Sequence, residues 1–168
     1  FLAEREEEDY KQRGPLNWGL DPNQDRERDT DSFALELRTD ISDDLSFAAS
    51  GRHDDNSEFD SANSFRVEAI YQLNDDLRLR SAYGTAVKNP TFTERFGFYT
   101  NFIGNPNLEP EESSSWELGV DKQMGELNLS ATLFDTELES EIDGFVYDPA
   151  TFAYTSGNKE GKSQRQGV

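Results

Sequence analysis

The chain has 168 residues, of which 33% are hydrophobic and 12% aromatic, and its formal net charge is −19. The mean hydropathy of −0.87 is low for a globular core, yet disordered chains are poor in aromatic residues, so the composition predicts a folded chain. The negative charge repels phosphate backbones and argues against a nucleic-acid partner. Because there is no cysteine and only one histidine, His53, disulfides, thiolate zinc sites and most histidine chemistry are excluded.

Targeting and anchoring signals are not visible in the sequence. No apolar run approaches the roughly 20 residues that a membrane helix needs, and the opening FLAEREEEDYKQ lacks the regions of a signal peptide. The chain does not start with methionine, and its last residues, GKSQRQGV, form neither a turn nor a cap. We therefore expect the chain to be a section of a larger protein.

Alternation of apolar and polar residues runs through most of the chain and predicts strands with one apolar face. In chain order, the apolar positions of six segments are Phe33, Leu35, Leu37 and Ile41; Leu45, Phe47 and Ala49; Phe65, Val67, Ala69, Tyr71 and Leu73; Leu77, Leu79 and Tyr83; Trp116, Leu118 and Val120; and Leu127, Leu129, Ala131 and Leu133. The opening residues to about Gln12 and the closing stretch from about Tyr154 are weaker candidates. No segment has helical spacing, so the sequence predicts an all-β chain of about eight strands.

The predicted connections alternate between two lengths. Tight turns fall at residues 42–44, 74–76 and 123–126, and longer links at residues 11–30, 53–63, 88–115 and 140–153. Short turns at one end and long loops at the other are typical of an antiparallel up-and-down meander in a transmembrane β-barrel. In such a barrel the apolar face contacts lipid, and the polar face, with Arg66, Arg78, Arg80 and Glu117, lines the lumen.

A soluble extracellular β-rich binding module with calcium-ordered acidic loops is the alternative, because a soluble sandwich also alternates apolar and polar residues. The two architectures differ in what covers the apolar face. A second sheet or helices would bury it in the soluble module, whereas lipid would contact it in the barrel. The row that decides is Phe47, Phe65, Val67, Tyr71, Leu79, Trp116 and Leu118.

Two stretches, RLRSAYGTAVKNPTFTERFG at residues 78–97 and GNPNLEPEESSSWELGV at residues 104–120, resemble the barrel of the TonB-dependent outer-membrane receptors. The likeness is to receptors of the vitamin B12 and iron-siderophore type. It implies a 22-stranded barrel in the outer membrane of a Gram-negative bacterium, which binds a siderophore-iron complex or cobalamin at extracellular loops. It also implies import with energy from the TonB complex, which acts through a plug domain. We expect residues 1–168 to be an internal part of the barrel domain without that plug.

The connection from residue 89 to residue 115 contains the candidate ligand-binding residues. They are Phe92, Phe96, Phe98, Tyr99 and Phe102. One interpretation is a ligand-contacting aromatic surface, and the other is a rigid loop that fixes where two strands leave the sheet. Three prolines favour rigidity, because each biases the preceding residue towards an extended conformation. We expect Leu108 to be buried, and Glu109, Glu111 and Glu112 to be exposed.

Acidic residues suggest a candidate calcium site, since oxygen-only clusters suit Ca²⁺. The candidates are Asp21, Asp25, Asp29, Asp31, Asp54 and Asp55. The first run lacks the glycine and the closing glutamate of an EF-hand, and solvated loop charges are the other interpretation. Apart from calcium, no cofactor is expected. Since no pattern separates the pKa values of a carboxylate pair, we expect no enzyme activity.

Overall fold

The computed structural model describes residues 1–16, 21–98 and 101–168. The elements of these residues are β1 (Leu2–Gln12), β2 (Gln24–Ser42), β3 (Leu45–Asn56), β4 (Ala62–Asn74), β5 (Leu77–Lys88), α1 (Phe92–Phe96), β6 (Glu111–Met124), β7 (Leu127–Glu139), β8 (Ile142–Asp148), β9 (Ala153–Asn158) and β10 (Lys162–Gly167). None of the helical residues described forms a segment long and apolar enough to cross a membrane.

Eight strands form one antiparallel sheet in the order β1-β2-β3-β4-β5-β6-β7-β10, and β8 and β9 form a separate hairpin. Every pair in the sheet up to β7 joins neighbours in the sequence, which confirms the predicted up-and-down meander. The strands β1 and β10 lie at the edges, so the sheet is open within the described residues. Tight turns lie at one end of the sheet, here called the turn end, and longer connections at the other, the loop end.

The register gives the sheet one apolar and one polar face. Tyr71 pairs with Leu79, and Leu79 pairs with Val120, so apolar side chains of three strands form a row. These residues are 37–43% exposed, and among the described residues no second sheet covers the row. On the opposite face Arg78 pairs with Asp121. A transmembrane barrel requires such an uncovered apolar row, which contacts lipid. A soluble sandwich would bury the row under a second sheet.

Strands reach further towards the loop end than the sequence pattern predicts. The link predicted at residues 11–30 is shorter, because β2 already begins at Gln24, and the link predicted at residues 53–63 shrinks to residues 57–61. Both extensions are polar on both faces, so hydrophobic alternation does not reveal them. Their backbones pair in register nonetheless, as Asp25 does with Lys11. Arg5 on β1 also bonds Asp29 and Asp31 on β2, at 3.1 and 3.3 Å.

The closing part of the chain also departs from the prediction. The stretch taken as a long link contains β8, and the strand expected from Tyr154 onward is two strands, β9 and β10. Tyr154 pairs with Tyr147 in the hairpin. A register shift between Asp143 and Val146 interrupts β8, and this shift explains why period two does not identify the strand.

The short helix α1 was not predicted. Thr91 is its N-cap, and the side chains of Thr91 and Glu94 form a capping box with each other's backbone amides. A helix of five residues is too short to show an apolar stripe, but the Thr-x-x-Glu spacing is visible in the sequence. Buried apolar residues are few and lie at the loop end, where Phe102, Leu108 and Ala153 are 3%, 4% and 5% exposed.

Candidate functional site

In the connection between β5 and β6, residues 89–98 fold onto the polar face of β1 and β2 at the loop end. Two side chains donate hydrogen bonds to carbonyls at the end of α1. Gln24 Nε2 donates to the Phe96 carbonyl and Gln12 Nε2 to the Phe98 carbonyl, each at 2.8 Å. The Tyr10 hydroxyl donates to Gln12 Oε1 at 2.6 Å and so orients the Gln12 amide. Carbonyls at a helix end lack partners within the helix, so these bonds fix the position of α1 on the sheet.

Arg28 of β2 anchors the start of the same connection. Its side chain is 9% exposed and pairs with the Glu8 carboxylate at 2.5 Å. Nη1 also donates to the carbonyl of Pro90 at 2.9 Å. The guanidinium carbon lies 5.0 Å from the centre of the Phe92 ring. A buried charge of this kind is tolerated because its donors are paired.

Aromatic rings and arginines alternate around α1. Tyr10 stacks on Phe92 at 5.6 Å, and Phe92 on Phe96 at 6.4 Å. The guanidinium carbons of Arg26 and Arg95 lie 4.3 and 5.0 Å from the Phe96 ring centre. These five residues are here called the mouth cluster, and cation–π contacts of this geometry stabilise it. The predicted ligand-binding residues Phe92 and Phe96 therefore contact the protein's own side chains.

A second aromatic group, here called the aromatic ladder, consists of Phe98, Phe102, Phe145, Tyr147 and Tyr154. Ring centres are 5.1 Å apart for Phe98 and Phe102, 5.9 Å for Phe102 and Phe145, and 4.2 Å for Phe145 and Tyr154. Tyr147 meets Tyr154 edge-on at 5.6 Å. Phe102 is buried, whereas Phe98, Phe145 and Tyr147 are 47%, 56% and 50% exposed. The ladder thus presents an open apolar surface fixed on a buried ring.

The backbone joins the two parts of the ladder. The amide of Tyr154 donates to the Asn101 carbonyl at 2.7 Å, and the amide of Ile103 donates to the Tyr154 carbonyl at 3.0 Å. Asn105 Nδ2 adds a bond to the Ser156 carbonyl at 3.1 Å. The β8–β9 hairpin and the connection before β6 therefore form one packed unit, and the interpretation of a rigid loop fits the proline segment. Leu108 is buried as predicted.

Glu111, predicted to be exposed, is instead largely buried. Its side chain is 12% exposed and pairs with Lys88 at 2.6 Å. It also accepts a bond from the amide of Ile142 at 2.7 Å. This carboxylate joins β5, β6 and β8, which explains why it is not in solvent.

Electrostatics at the base of the hairpin centre on Glu141. A bond from the Ser163 hydroxyl, bonds and charge from Lys159, and the charge of Arg165 lower the pKa of Glu141 to about 2. The pKa of Asp148 at the hairpin tip is also lowered, by bonds from the Ala150 amide and the Thr151 hydroxyl. Both carboxylates are therefore ionised at neutral pH. Glu141 joins the start of β8 to β10 and the turn before it, and Asp148 holds its own turn.

The structure does not assemble the predicted calcium ligands. Asp25, Asp29, Asp31, Asp54 and Asp55 lie in strands, not in loops. The carboxylate of Asp25 pairs with Arg13 at 3.0 Å, and that of Asp54 pairs with Arg52 at 2.7 Å.

Asp21 does lie outside the strands, and its carboxylate accepts the amide of Asn23 at 2.9 Å. Across the described ranges, no group of three or more acidic, histidine or cysteine side chains is arranged to hold a metal ion. Calcium therefore stays a prediction without an assembled site.

The residues predicted to line the lumen share the polar face. Arg78 and Arg80 both bond the Asp121 carboxylate, through their Nε atoms at 3.1 and 2.9 Å. Arg66 and Glu117 lie beside Arg80 around a cavity of about 210 Å³. Arg66 itself pairs with Glu68 on the same strand. These three arginines are thus paired with carboxylates.

A sequence profile described as "TonB dependent receptor-like, beta-barrel" matches residues 5–168. The chain belongs to this receptor family. Membership agrees with the open antiparallel sheet, its uncovered apolar row and its unequal connections.

Solved structures of TonB-dependent receptors share the fold. The siderophore receptor PirA from Pseudomonas aeruginosa has a TM-score of 0.75 and 19% identity over 84% of this chain and 28% of its own. PirA from Acinetobacter baumannii has a TM-score of 0.69 and 24% identity over 87% of this chain and 25% of its own. A mutant ferric enterobactin receptor, PfeA, from P. aeruginosa, in complex with enterobactin, has a TM-score of 0.74 and 16% identity, covering 88% and 25%. The chain thus spans between a quarter and a third of these receptors.

Several residues of the candidate site were missed by the sequence prediction. Phe145 and Tyr147 flank Val146 in the link predicted at residues 140–153, and this short run of aromatic and β-branched residues, not alternation, is the signal that indicates a strand there. Arg26 and Arg28 carry no such signal, because Phe96 and Phe92, the rings that they contact on α1, lie more than sixty positions away. Tyr99, also predicted to bind ligand, lies outside the described residues.

Proposed function

We propose that the protein containing this chain is an outer-membrane receptor that binds a siderophore-iron complex at its loop end and imports it with energy from the TonB complex. Family membership supports the receptor class. The similar structures support the ligand class, since they are receptors for siderophores and for ferric enterobactin. Cobalamin is the second candidate ligand, carried by the sequence resemblance alone.

The observation that carries the proposal is the aromatic ladder. Exposed rings fixed on a buried one give a ligand a large contact area with little loss of side-chain freedom. Phe98, Phe145 and Tyr147 are at least 47% exposed on an otherwise packed unit. We assign ligand contact to these three residues. Phe92 and Phe96 do not contact the ligand in this proposal; they stabilise the mouth cluster through their contacts with Tyr10 and Arg26.

The sheet fits an outer-membrane location. On β2 its outward face carries Phe33, Leu35, Leu37 and Ile41, whereas the loop-end half of the same strand is polar on both faces. β2 has 19 residues, and a tilted strand needs about 9–11 to cross a bilayer. The polar half would therefore project above the lipid and present the site to the exterior.

The polar face would line the lumen of the complete barrel. Arg66, Arg78, Arg80 and Glu117 would contact water and the plug through which TonB acts. The three arginines have carboxylate partners within the sheet, so they present no unpaired positive charge to a passing ligand. We expect no catalytic step and no required cofactor.

Uptake by intact cells tests the proposal. A strain lacking the gene would be complemented with the wild-type gene and supplied in turn with labelled cobalamin, a ferric tris-catecholate and a ferric tris-hydroxamate. We expect uptake of a ferric chelate that disappears when the TonB gene is deleted. Replacing Phe145 and Tyr147 together by serine should lower this uptake at least tenfold with unchanged receptor abundance. Uptake of cobalamin alone would contradict the siderophore assignment, and uptake of none would contradict transport.

A further inference from the structure

The positive charges of the chain are almost all paired. Among the described residues, which include all 16 lysines and arginines, 14 have a carboxylate oxygen within 4.0 Å. The two exceptions are Lys11 and Arg26. Pairing on this scale is expected at a net charge of −19, so an unpaired cation needs an explanation.

Arg26 and Lys11 lie on opposite faces of the sheet. Lys11 alternates with Tyr10 and Gln12, which contact α1, so Lys11 points outward with Arg5. Arg26 pairs in register with Tyr10 and alternates with Asp25 and Glu27, so it shares the polar face with Arg28. Of the cations on the polar face, Arg26 alone is without a carboxylate partner among the described residues.

The surroundings of Arg26 hold it in place without neutralising it. Its guanidinium carbon is 4.3 Å from the centre of the Phe96 ring, while the side chain remains exposed. The neighbouring arginines are different, because Arg28 pairs with Glu8 and Arg95 pairs with Glu58. A ring supports one side of the guanidinium and leaves its edge donors free for a planar anionic group.

Resting on the proposed function, we infer that Arg26 is a specificity-determining residue that binds an anionic group of the incoming chelate. The ligand is then a negatively charged ferric complex, and not a neutral one or cobalamin. Phe96 positions the guanidinium, and Gln24 fixes Phe96 through its carbonyl at 2.8 Å. The positive charge of Arg26 is local, whereas the chain as a whole is strongly negative. An anionic ligand is therefore attracted at Arg26 and repelled by the rest of the surface.

Binding measurements on the purified complete receptor test this inference. The probes are a negatively charged ferric tris-catecholate, a neutral ferric tris-hydroxamate and cobalamin, and the variants are Arg26→Gln, Arg26→Lys and the matched control Lys11→Gln. Arg26→Gln should raise the Kd of the catecholate at least tenfold, because a hydrogen bond to a charged group is lost. The Kd of the hydroxamate should change less than about twofold, and Lys11→Gln should change neither.

Two further measurements, the dependence of binding on ionic strength and the affinity of Arg26→Lys, distinguish binding of the anionic chelate by Arg26 from a purely structural role of Arg26. Higher salt should weaken catecholate binding by the wild type more than by Arg26→Gln, and Arg26→Lys should restore part of the affinity. Equal losses for both chelates would overturn the inference and show that Arg26 only supports the loop, as would an unchanged catecholate Kd. If the wild type binds only the neutral ferric chelate, the inference fails while the proposed siderophore receptor stands. If it binds only cobalamin, the inference and the siderophore assignment both fail. If it binds none of the three, the inference and the receptor function both fail.

Discussion

At the scale of single residues, two glycines allow the backbone at Gly97 and the backbone at Gly104 to come into contact at the end of α1. Gly97 and Gly104 have φ values of 73° and 68°, a region that residues with a Cβ atom rarely adopt. A Cβ added to Gly104 would lie 2.3 Å from the Gly97 nitrogen, and one added to Gly97 would lie 2.2 Å from the Phe102 carbonyl oxygen. The sequence requires glycine at both positions because two backbones meet there.

Gly104→Ala should therefore open the connection before β6. We expect the backbone strain of roughly 1–3 kcal/mol, together with the clash, to increase chymotrypsin cleavage in this segment about tenfold or more. Gly144→Ala is the matched control, since a Cβ there has nothing within 4 Å. Equal cleavage rates in the two variants would contradict the assigned packing.

Glu141 predicts a pH dependence of stability. Its pKa is about 2 in the folded chain, against an ordinary value of 4.5. Because the folded pKa is the lower one, the stabilisation is complete above pH 4.5 and is lost as the pH falls towards 2. In the complete receptor, the melting temperature of the wild type should be higher than that of Glu141→Gln at pH 7. The difference between the two melting temperatures should become smaller below pH 4.5.

Glu160→Gln provides the control for this pH dependence. Glu160 lies in the same segment but forms no ion pair among the described residues. A melting difference for Glu141→Gln that is constant from pH 7 to pH 3 would show that the carboxylate charge is not the cause.

At the scale of elements, Arg28 anchors the start of the connection before β6, residues 89–98, on the sheet. Arg28→Met removes the bond to the Pro90 carbonyl and leaves Glu8 without its partner. We expect a loss of about 2–3 kcal/mol in the free energy of opening this segment, because both bonds involve a charged group that is largely buried. Hydrogen exchange of the residue 89–98 amides in the complete receptor measures it.

Arg38→Met is the comparison for Arg28. Arg38 pairs with Glu36 at 2.5 Å, but its side chain is 76% exposed, and exposed pairs contribute about 0–1 kcal/mol. Equal effects of the two substitutions on exchange would mean that Arg28 is one more surface ion pair and does not anchor the connection.

The same elements show what could be predicted from the sequence. Central strands follow from alternation, because residues such as Phe65 and Leu118 must lie on one face. The polar extension of β2 depends on pairing with β1, and β8 contains a register shift, so alternation misses both. Of the candidate site, Phe98 and Phe102 were identified from local composition. Their contact with Phe145, and that of Arg26 with Phe96, depends on folding that brings distant segments together.

At the scale of the molecule, the two faces of the sheet differ in polarity and both are exposed within the described residues, so each face requires a different environment. Few residues are buried, and Leu118 on the apolar face and Ile70 on the polar face are 52% and 38% exposed. A barrel wall explains this exposure, since lipid covers one face while water and a plug contact the other. The edge strands β1 and β10 would then pair with further strands of the complete barrel.

Accessibility of spin labels to two relaxing agents tests this claim most directly. The chain contains no cysteine, so Leu118→Cys and Ile70→Cys can each carry one label in the complete receptor in bilayers, once any other cysteines are replaced. Oxygen concentrates in lipid, whereas a nickel chelate stays in water. We predict that the label at position 118 is relaxed mainly by oxygen, and that the label at position 70 is relaxed relatively more by nickel. Equal nickel accessibility at both positions would contradict a sheet that separates lipid from a polar path.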